Sequence, residues 1–302
     1  MIMVPPLSIM SKNLLVTGTD GFIGSNFAVE ARLKQFNIYE LSRRSDKWNA
    51  ERYREELLLT ARNVKFESVI HFGAIASTSN TDIDTMIGFN VEAVEILANY
   101  CSGTNTPLIF ISSAAVYGNE TKSLSLYAKT KRQGEKILNQ TPNLKFSTLR
   151  LFNTYGFNEI EKTDMKSVIS DIIISGIKKK KISIWQFPDL EFGSQSRDFI
   201  FVQDVIQVIS ALINEKRYFR ETLDLGSGQS YKFIDLAKYI TSIEDDWFIE
   251  SIQPPKNYQK NFYQQYTCAN VDWITDLLEL KKPRHPFEII PDLINKYKVF
   301  FN

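Results

Sequence analysis

Short apolar runs alternate with longer amphipathic stretches through the first half of this chain. Runs at 12–17, 37–41, 68–72, 107–112 and 145–152 have the length and content of buried strands. Stretches 22–34, 82–101 and 126–139 carry the helical period, and 48–62 is polar and helix-like. Strands alternating with helices are the signature of parallel βαβ units, and this order predicts an α/β fold with a doubly wound parallel sheet of the Rossmann type. Beyond Asn153 the pattern loses regularity. A helix is predicted at 166–178, and the lysine run 178–181 suits its C-terminal end, where cations complement the helix dipole. The run 222–225, followed by Gly226 and Gly228, reads as one more sheet strand, so two lobes interleave. The expected division is a loose tail at 1–11, a Rossmann domain from 12–155 with about 200–232, and a smaller interleaved C-terminal substrate-binding lobe from 156–199 with 233–302.

Composition sets outer bounds. With 302 residues, 43 % apolar and 13 % aromatic, the chain can bury a large core. Lys plus Arg (36) nearly balance Asp plus Glu (35), which removes the global electrostatic case for nucleic acid or an anionic membrane. The first thirteen residues lack a basic start followed by a long apolar stretch; they read as a tail and not a signal peptide, with Met10 an alternative start. No run approaches the roughly eighteen apolar residues of a membrane span. Cys101 and Cys268 are far apart and have no His at metal-ligand spacing, so neither a disulfide framework nor a metal site is expected. A reducing cytoplasm fits.

Gly18-Thr19-Asp20-Gly21-Phe22-Ile23-Gly24 follows the first strand and opens the first helix. There, backbone N–H groups and the helix N-terminus cradle a pyrophosphate. A turn needed only for tight packing is the plain alternative, and the flanking strand and helix argue against it. The second strand is followed by Ser42-Arg43-Arg44. NAD is usually held by an acid at that strand end, whereas the extra phosphate of NADP needs cations. Ser42 takes the acid's place, and each arginine–phosphate hydrogen bond contributes about 1.5–3 kcal/mol, so NADP is expected over NAD. Glu40 would hold the ribose of NAD if the strand lay one residue out of this register, and two arginines also fit a solvated surface.

Thirteen residues separate Ser113, at a strand end, from Tyr127, and Lys131 follows Tyr127 by four. A free phenol has a pKa near 10 and is only about 0.1 % ionised at neutral pH, a poor base. On one helix, positions i and i+4 stack roughly 6 Å apart, where the Lys131 ammonium is expected to favour the phenolate of Tyr127. Ser113 is placed to hydrogen-bond the same substrate oxygen.

Taken in order, the motifs resemble the extended short-chain dehydrogenase/reductases, which epimerise, dehydrate or reduce nucleotide-activated sugars. Those motifs are Gly18-x-x-Gly21-x-x-Gly24, Ile70-His71-Phe72-Gly73-Ala74, Asn90, Ser112-Ser113 through Tyr117-Gly118, Tyr127-x-x-x-Lys131, Arg150-x-Phe152-Asn153-x-Tyr155-Gly156, and Arg197-Asp198 through Asp204. The resemblance covers nearly the whole chain. It implies acid/base work by Tyr127, a grip of Lys131 on nicotinamide ribose and polarisation of the reacting carbonyl by Ser113. It further implies cofactor contacts from Gly18, Asp20, Gly21, Phe22, Ile23, Gly24, Arg43, Arg44, Phe72, Gly73, Ala74 and Asn90 besides Tyr127 and Lys131. A nucleotide-diphosphate sugar would be held by Ser77, Thr78, Ser113, Ala114, Asn153, Arg197 and Tyr263. For Arg197 a structural salt bridge to Asp198 or Asp204 is the competing reading. Tyr117 lacks a lysine four residues on and is expected to line the site without acting as base; His71 reads as a packed core residue. Helices 82–101 and 126–139 resemble those that pair in family dimers, which implies a homo-oligomer.

Segments 73–79 and 262–267, together with Lys162, are similar to the branch of the family that epimerises activated heptoses. In that branch a lysine at the place of Lys162 is a second acid/base; a solvated loop lysine is the alternative. The resemblance also has gaps. The segment between Ser113 and Tyr127 is short, and 44–68 lacks much of a strand and loop that usually hold adenine and substrate, which implies an open pocket or one closed by a partner. The leading expectation is an NADP-dependent epimerase of an activated heptose. The alternatives are a nucleotide-sugar 4-epimerase or 4-reductase, and a dinucleotide-binding regulatory protein without turnover.

Overall fold

A computed structural model of the chain describes residues 12–41, 47–76, 83–119, 123–162, 165–254, 263–271 and 278–301. The first half runs β1 (Asn13–Thr17), α1 (Phe22–Leu33), β2 (Asn37–Leu41), α2 (Ala50–Thr60), β3 (Ser68–His71), α3 (Ile83–Ile87), a π turn over Gly88–Glu92, α4 (Ala93–Thr104), β4 (Leu108–Ser113), α5 (Leu126–Gln140) and β5 (Phe146–Leu151). There follow β6 (Thr154–Tyr155), α6 (Val168–Lys179), β7 (Lys181–Trp185), β8 (Ser196–Asp198), β9 (Ile200–Phe201), α7 (Val202–Glu215), β10 (Thr222–Leu225), β11 (Ser230–Lys232), α8 (Phe233–Ile243), β12 (Phe248–Ile252) and a C-terminal helix, Pro286–Phe301.

Six strands form one sheet in the order β10-β5-β4-β3-β1-β2, and every pairing in it is parallel. The doubly wound α/β architecture expected from the pattern is therefore present, with 222–225 as its outer strand beside β5. Successive strand residues face opposite sides, so each strand feeds two cores. Leu14, Val16, Ile70, Ile109, Ile111 and Leu149 pack toward α1 and α7, while Leu15, Val69, Leu108 and Phe110 pack toward α4 and α5. Most of these side chains are fully buried, each contributing about 1.5–3 kcal/mol.

Two features depart from the expected pattern. Helix 82–101 is not uniform, because the π turn at Gly88–Glu92 interrupts it. That wider turn carries Asn90, buried, which accepts from the Ile75 N–H at 2.7 Å and donates to the Ile75 carbonyl at 2.9 Å and to Thr130 at 3.0 Å. In the second half, helix α7 is strongly amphipathic yet falls where the chain reads as irregular. The short strands beside it pair at long range, β7 with β12, β8 with β11 and β6 with β9, so no local period announces them. The lysine run ends α6 as expected: Lys178 and Lys179 occupy its last turn, and Lys180 caps it at φ 57°. Among the described residues no helix is long and apolar enough to cross a membrane.

Candidate active site

The chain passes from β1 to β2 on one side and returns to β3 on the other, so the crevice beyond β1 and β3 is the switch point of the sheet, where such folds bind ligands. Gly18 ends β1 there with φ 75°, and a Cβ on it would stand 2.6 Å from the Gly73 nitrogen after β3. A Cβ on Gly24 would stand 2.1 Å from the Gly18 carbonyl. The loop is thus closed down on itself, with Gly21 N–H donating to Gly18 O at 3.1 Å and α1 starting at Gly21 without a side-chain cap. Glycines at 18 and 24 leave no side chain between the loop and the helix N-terminus, which suits a pyrophosphate.

Two cavities open from this point and share Phe72 and Ala74. One, of about 420 Å³, is walled by Gly18, Asp20, Gly21, Gly73, Leu41 and the aromatic rings of Tyr53 and Phe89. The other, of about 900 Å³, contains Phe22, Ile23, Ser113, Ala114, Tyr127, Lys131, Asn153 and Lys162 in its wall. The smaller suits an adenosine half and the larger a nicotinamide with a sugar. These residues fit a bound dinucleotide.

In the larger cavity, Ser125 caps α5 by accepting from Ala128 N–H at 3.2 Å, which sets the rotation that turns Tyr127 and Lys131 toward the end of β4. Tyr127 is hydrogen-bonded to Ser113. Lys131 is 2 % exposed; its Nζ donates to the Ile111 carbonyl at 2.8 Å and lies 6.0 Å from the centre of the Tyr127 ring. The proximity read from the spacing holds, but its expected electrostatic consequence does not. Burial pushes the Tyr127 phenol up to about 12, with the Ser113 hydrogen bond only partly opposing it. Burial likewise pushes Lys131 down to about 7 against the pull of Glu135. A solvated i, i+4 pair would stabilise both charges, but here desolvation penalises the charged form of both partners. The Tyr127 phenol therefore holds its proton at neutral pH.

Lys162 enters the same cavity from the loop before α6. Its Nζ lies over the Phe22 ring at 5.0 Å, donates to the Met165 carbonyl at 3.1 Å and stands 3.5 Å from Glu159 Oε1. Glu159 is buried and accepts from Ser167 N–H (2.6 Å), Ser167 Oγ (2.8 Å) and Ser170 Oγ (2.6 Å), so one carboxylate both anchors the start of α6 and steadies the lysine. The segment 263–271 runs beside β8 and brings Gln264 and Thr267 to the wall; Gln264 donates to the Gly118 carbonyl at 2.6 Å, closing over the short turn that follows Ser113.

A model of the NAD dependent epimerase/dehydratase family matches residues 14–226, well over half of the chain. The chain belongs to this family. It is 26 % identical to an ADP-L-glycero-D-manno-heptose-6-epimerase of Fusobacterium nucleatum, the match covering 94 % of this chain and 97 % of that one. Among solved structures, the fold matches ADP-L-glycero-D-manno-heptose-6-epimerase of Helicobacter pylori with a TM-score of 0.77 at 20 % identity, over 95 % of this chain and 96 % of that one. It also matches MoeE5 in complex with UDP-glucose and NAD, with a TM-score of 0.76 at 21 % identity, over 96 % of this chain and all of that one. Members of the epimerase/dehydratase family depend on a dinucleotide, in keeping with the crevice at Gly18.

Several residues singled out by the family reading stand elsewhere than expected. Asn90, expected among the cofactor contacts, lines neither cavity; its amide braces the Ile75 loop and, through Thr130, the first turn of α5. Tyr117, expected to line the site, is turned away, donating to Asp224 Oδ1 at 2.6 Å and accepting from Arg150 Nη1 at 2.9 Å. His71 is a core residue as expected: 2 % exposed, stacked on Phe110 and hydrogen-bonded to Thr17 at 2.6 Å, with burial pushing its pKa down to about 3.

Arg197 is not the salt-bridge partner of either aspartate. Asp198 accepts from Ser227, Gly228 and Ala269, and Asp204 pairs with Arg284. Arg197 lies over Tyr263 at 4.9 Å, with Trp185 and Phe187 on the other ring contacts of that tyrosine. Neither Arg197 nor Tyr263 walls the larger cavity. Arg43, Arg44, Ser77 and Thr78 lie outside the described residues. Glu159 and Lys166 line the cavity without having been singled out, and so do Gln264 and Thr267, whose segment 262–267 carries a resemblance that implies no site role beyond Tyr263. Lys166 shows a signal in hindsight, being four residues beyond Lys162; the others are brought in by tertiary contacts that no spacing encodes.

Proposed function

We propose that this protein is a nucleotide-sugar epimerase using tightly bound NADP, acting on an activated heptose of the ADP-heptose kind by oxidation to a ketone and re-reduction on the opposite face. The observation that carries the reading is that two proton-handling groups from different elements, Tyr127 on α5 and Lys162 before α6, share one cavity with Ser113 and Lys131. Epimerisation must present both faces of the ketone to one hydride, and a second acid/base group allows the carbonyl oxygen to exchange its proton in each of the two orientations. The match to heptose epimerases over nearly the whole chain supports the substrate class. In bound form, the oxidised dinucleotide would supply a hydride acceptor, held by the glycine loop at Gly18 and by Tyr127 and Lys131.

The remaining work falls to the chain. Ser113 Oγ orients the reacting oxygen, Tyr127 holds or takes its proton, and Lys131 fixes the tyrosine side of the site. Lys162 serves the opposite face. Asn153, whose Nδ2 donates to the Asp198 carbonyl at 2.8 Å, lines the same cavity. Arg197, buried against the Tyr263 ring, carries the guanidinium whose geometry suits a diphosphate.

NADP is preferred for the reason read from the end of β2. That strand ends at Leu41, which lines the smaller cavity, whereas Glu40 does not line it. The Glu40 carboxylate accepts instead from Thr19 at 3.1 Å and pairs with Arg32. The sequence after Leu41, Ser42-Arg43-Arg44, offers cations for a 2′-phosphate and no acid for the ribose of NAD.

Denaturing the purified protein is expected to release oxidised NADP at close to one equivalent per chain, read by mass spectrometry; NAD in its place would overturn the cofactor assignment. Turnover of an ADP-heptose should consume no added NADPH. A nucleotide-sugar reductase is the second reading, favoured by the firmly protonated Tyr127, and it predicts one NADPH consumed per product. Lys162→Met is expected to slow epimerisation by about 10²-fold while cofactor affinity stays within about twofold; unchanged epimerisation would make Lys162 a loop lysine.

A further inference from the structure

Three rungs join one face of α5 to the last three residues of β4. Tyr127, Lys131 and Glu135 recur every fourth residue and so share that face. Tyr127 is hydrogen-bonded to Ser113, Lys131 to the Ile111 carbonyl, and Ser112 Oγ donates to Glu135 Oε1 at 2.7 Å. The first two rungs belong to the site already described; the third does not.

Glu135 is 5 % exposed and is held from its far side by Arg150 on β5, with Nε to Oε1 at 2.9 Å and Nη2 to Oε2 at 2.7 Å. Arg150 is fixed in turn by Tyr117, which bonds Asp224 on β10. A buried ion pair is an inefficient way to stabilise a fold, because desolvation offsets most of its attraction. The charge it keeps is therefore informative, because Lys131 stands one turn earlier on the same helix, buried, with the attraction of Glu135 opposing its desolvation.

We propose, on the reading of Tyr127 and Lys131 as the catalytic pair, that Glu135 is a positioning residue: clamped by Arg150 and Ser112, it holds the Lys131 ammonium at the Ile111 carbonyl and supplies the negative charge that keeps that nitrogen a cation. The groups facing Lys131 are Tyr127 and Glu135 from α5, the Phe110 ring at 4.9 Å and the Ile111 carbonyl from β4, and His71 from β3. His71 is neutral at working pH, and Glu135 carries the opposing charge. Arg150 lies beyond Glu135 and draws on the same carboxylate. The two ends of the clamp therefore act on Lys131 with opposite sign.

The test is the titration of Lys131 in cofactor-free protein, followed by NMR of ¹³C-labelled lysine and assigned with Lys131→Met, in Glu135→Gln and Arg150→Gln. Glu135→Gln is expected to lower the midpoint by roughly one unit or more, since an adjacent opposite charge is lost. Arg150→Gln is expected to raise it, since Glu135 then has one cation fewer to share. The alkaline loss of NADPH binding, measured by fluorescence, should move in the same two directions. Shifts of equal sign in both variants, or none in either, would reduce the clamp to packing and overturn the proposal. If Glu135→Gln does not fold, the sign in Arg150→Gln decides alone. The titration uses no sugar, so absence of turnover on every nucleotide sugar would count against the proposed function and leave the result on Glu135 standing.

Discussion

Tyr127→Phe is expected to abolish hydride transfer, with turnover falling by about 10³-fold or more, while the protein still folds and still binds its dinucleotide. The phenol oxygen is the only atom removed, and its partner is the Ser113 hydroxyl, which keeps a second bond from the Ala115 N–H at 3.1 Å. The ring stays to pack in the cavity wall. The substituted enzyme should match wild type in NADPH fluorescence titration and in thermal melting, and it should fail to exchange hydride between cofactor and sugar. Phenylalanine has no titrating group, so the residual activity of the variant should not recover between pH 7 and 9. Wild-type-like turnover in the variant would refute the assignment of the acid/base.

Gly24→Ala is the second large effect. The added Cβ would meet the Gly18 carbonyl oxygen at 2.1 Å, the Gly18 carbonyl carbon at 2.9 Å and the Thr19 Cα at 3.2 Å, all backbone. No rotamer relieves such a contact. The loop must shift, yet Gly18 is itself pressed against Gly73, so the shift is resisted from the other side. A destabilisation of about 2–3 kcal/mol is expected from overpacking, together with loss of tightly bound cofactor from the purified protein. Gly103→Ala on α4 is the control, because a Cβ there meets nothing within 4 Å. It should leave the melting temperature unchanged or slightly raised and retain the cofactor. Equal cofactor content in Gly24→Ala and wild type would mean that the glycine loop does not cradle the pyrophosphate.

How far the sequence could be read depended on the range of the forces at each place. Strands β2 and β10 start and end where the pattern puts them, although they are the two edges of the sheet and carry polar residues, whereas the central β3 is buried throughout, as a strand covered on both faces must be. The glycine loop was legible for a similar reason: only glycine tolerates the φ of Gly18 and the approach of Gly24, so the constraint is written in residue type. Helix α7 and the short strands of the second half were not legible, since β12 reaches β7 across more than sixty residues of chain. Lys162 could be singled out, but the buried Glu159 that holds it could not.

The chain by itself determined the parallel sheet, the crevice at Gly18 and the presence of Ser113, Tyr127 and Lys131 on adjoining elements, since these follow from period, turn chemistry and a spacing of four on one helix. Only the tertiary structure decided the state of that pair. Burial beneath β4 raises the phenol and lowers the ammonium, reversing the mutual stabilisation that the spacing alone implies. It also decided that Asn90 braces a loop, that Tyr117 turns to Asp224 and that Glu135 stands behind Lys131. The physical reason is common to all four: proximity along a helix is fixed by local geometry, whereas desolvation and hydrogen-bond partners come from whatever segment the rest of the fold lays against it.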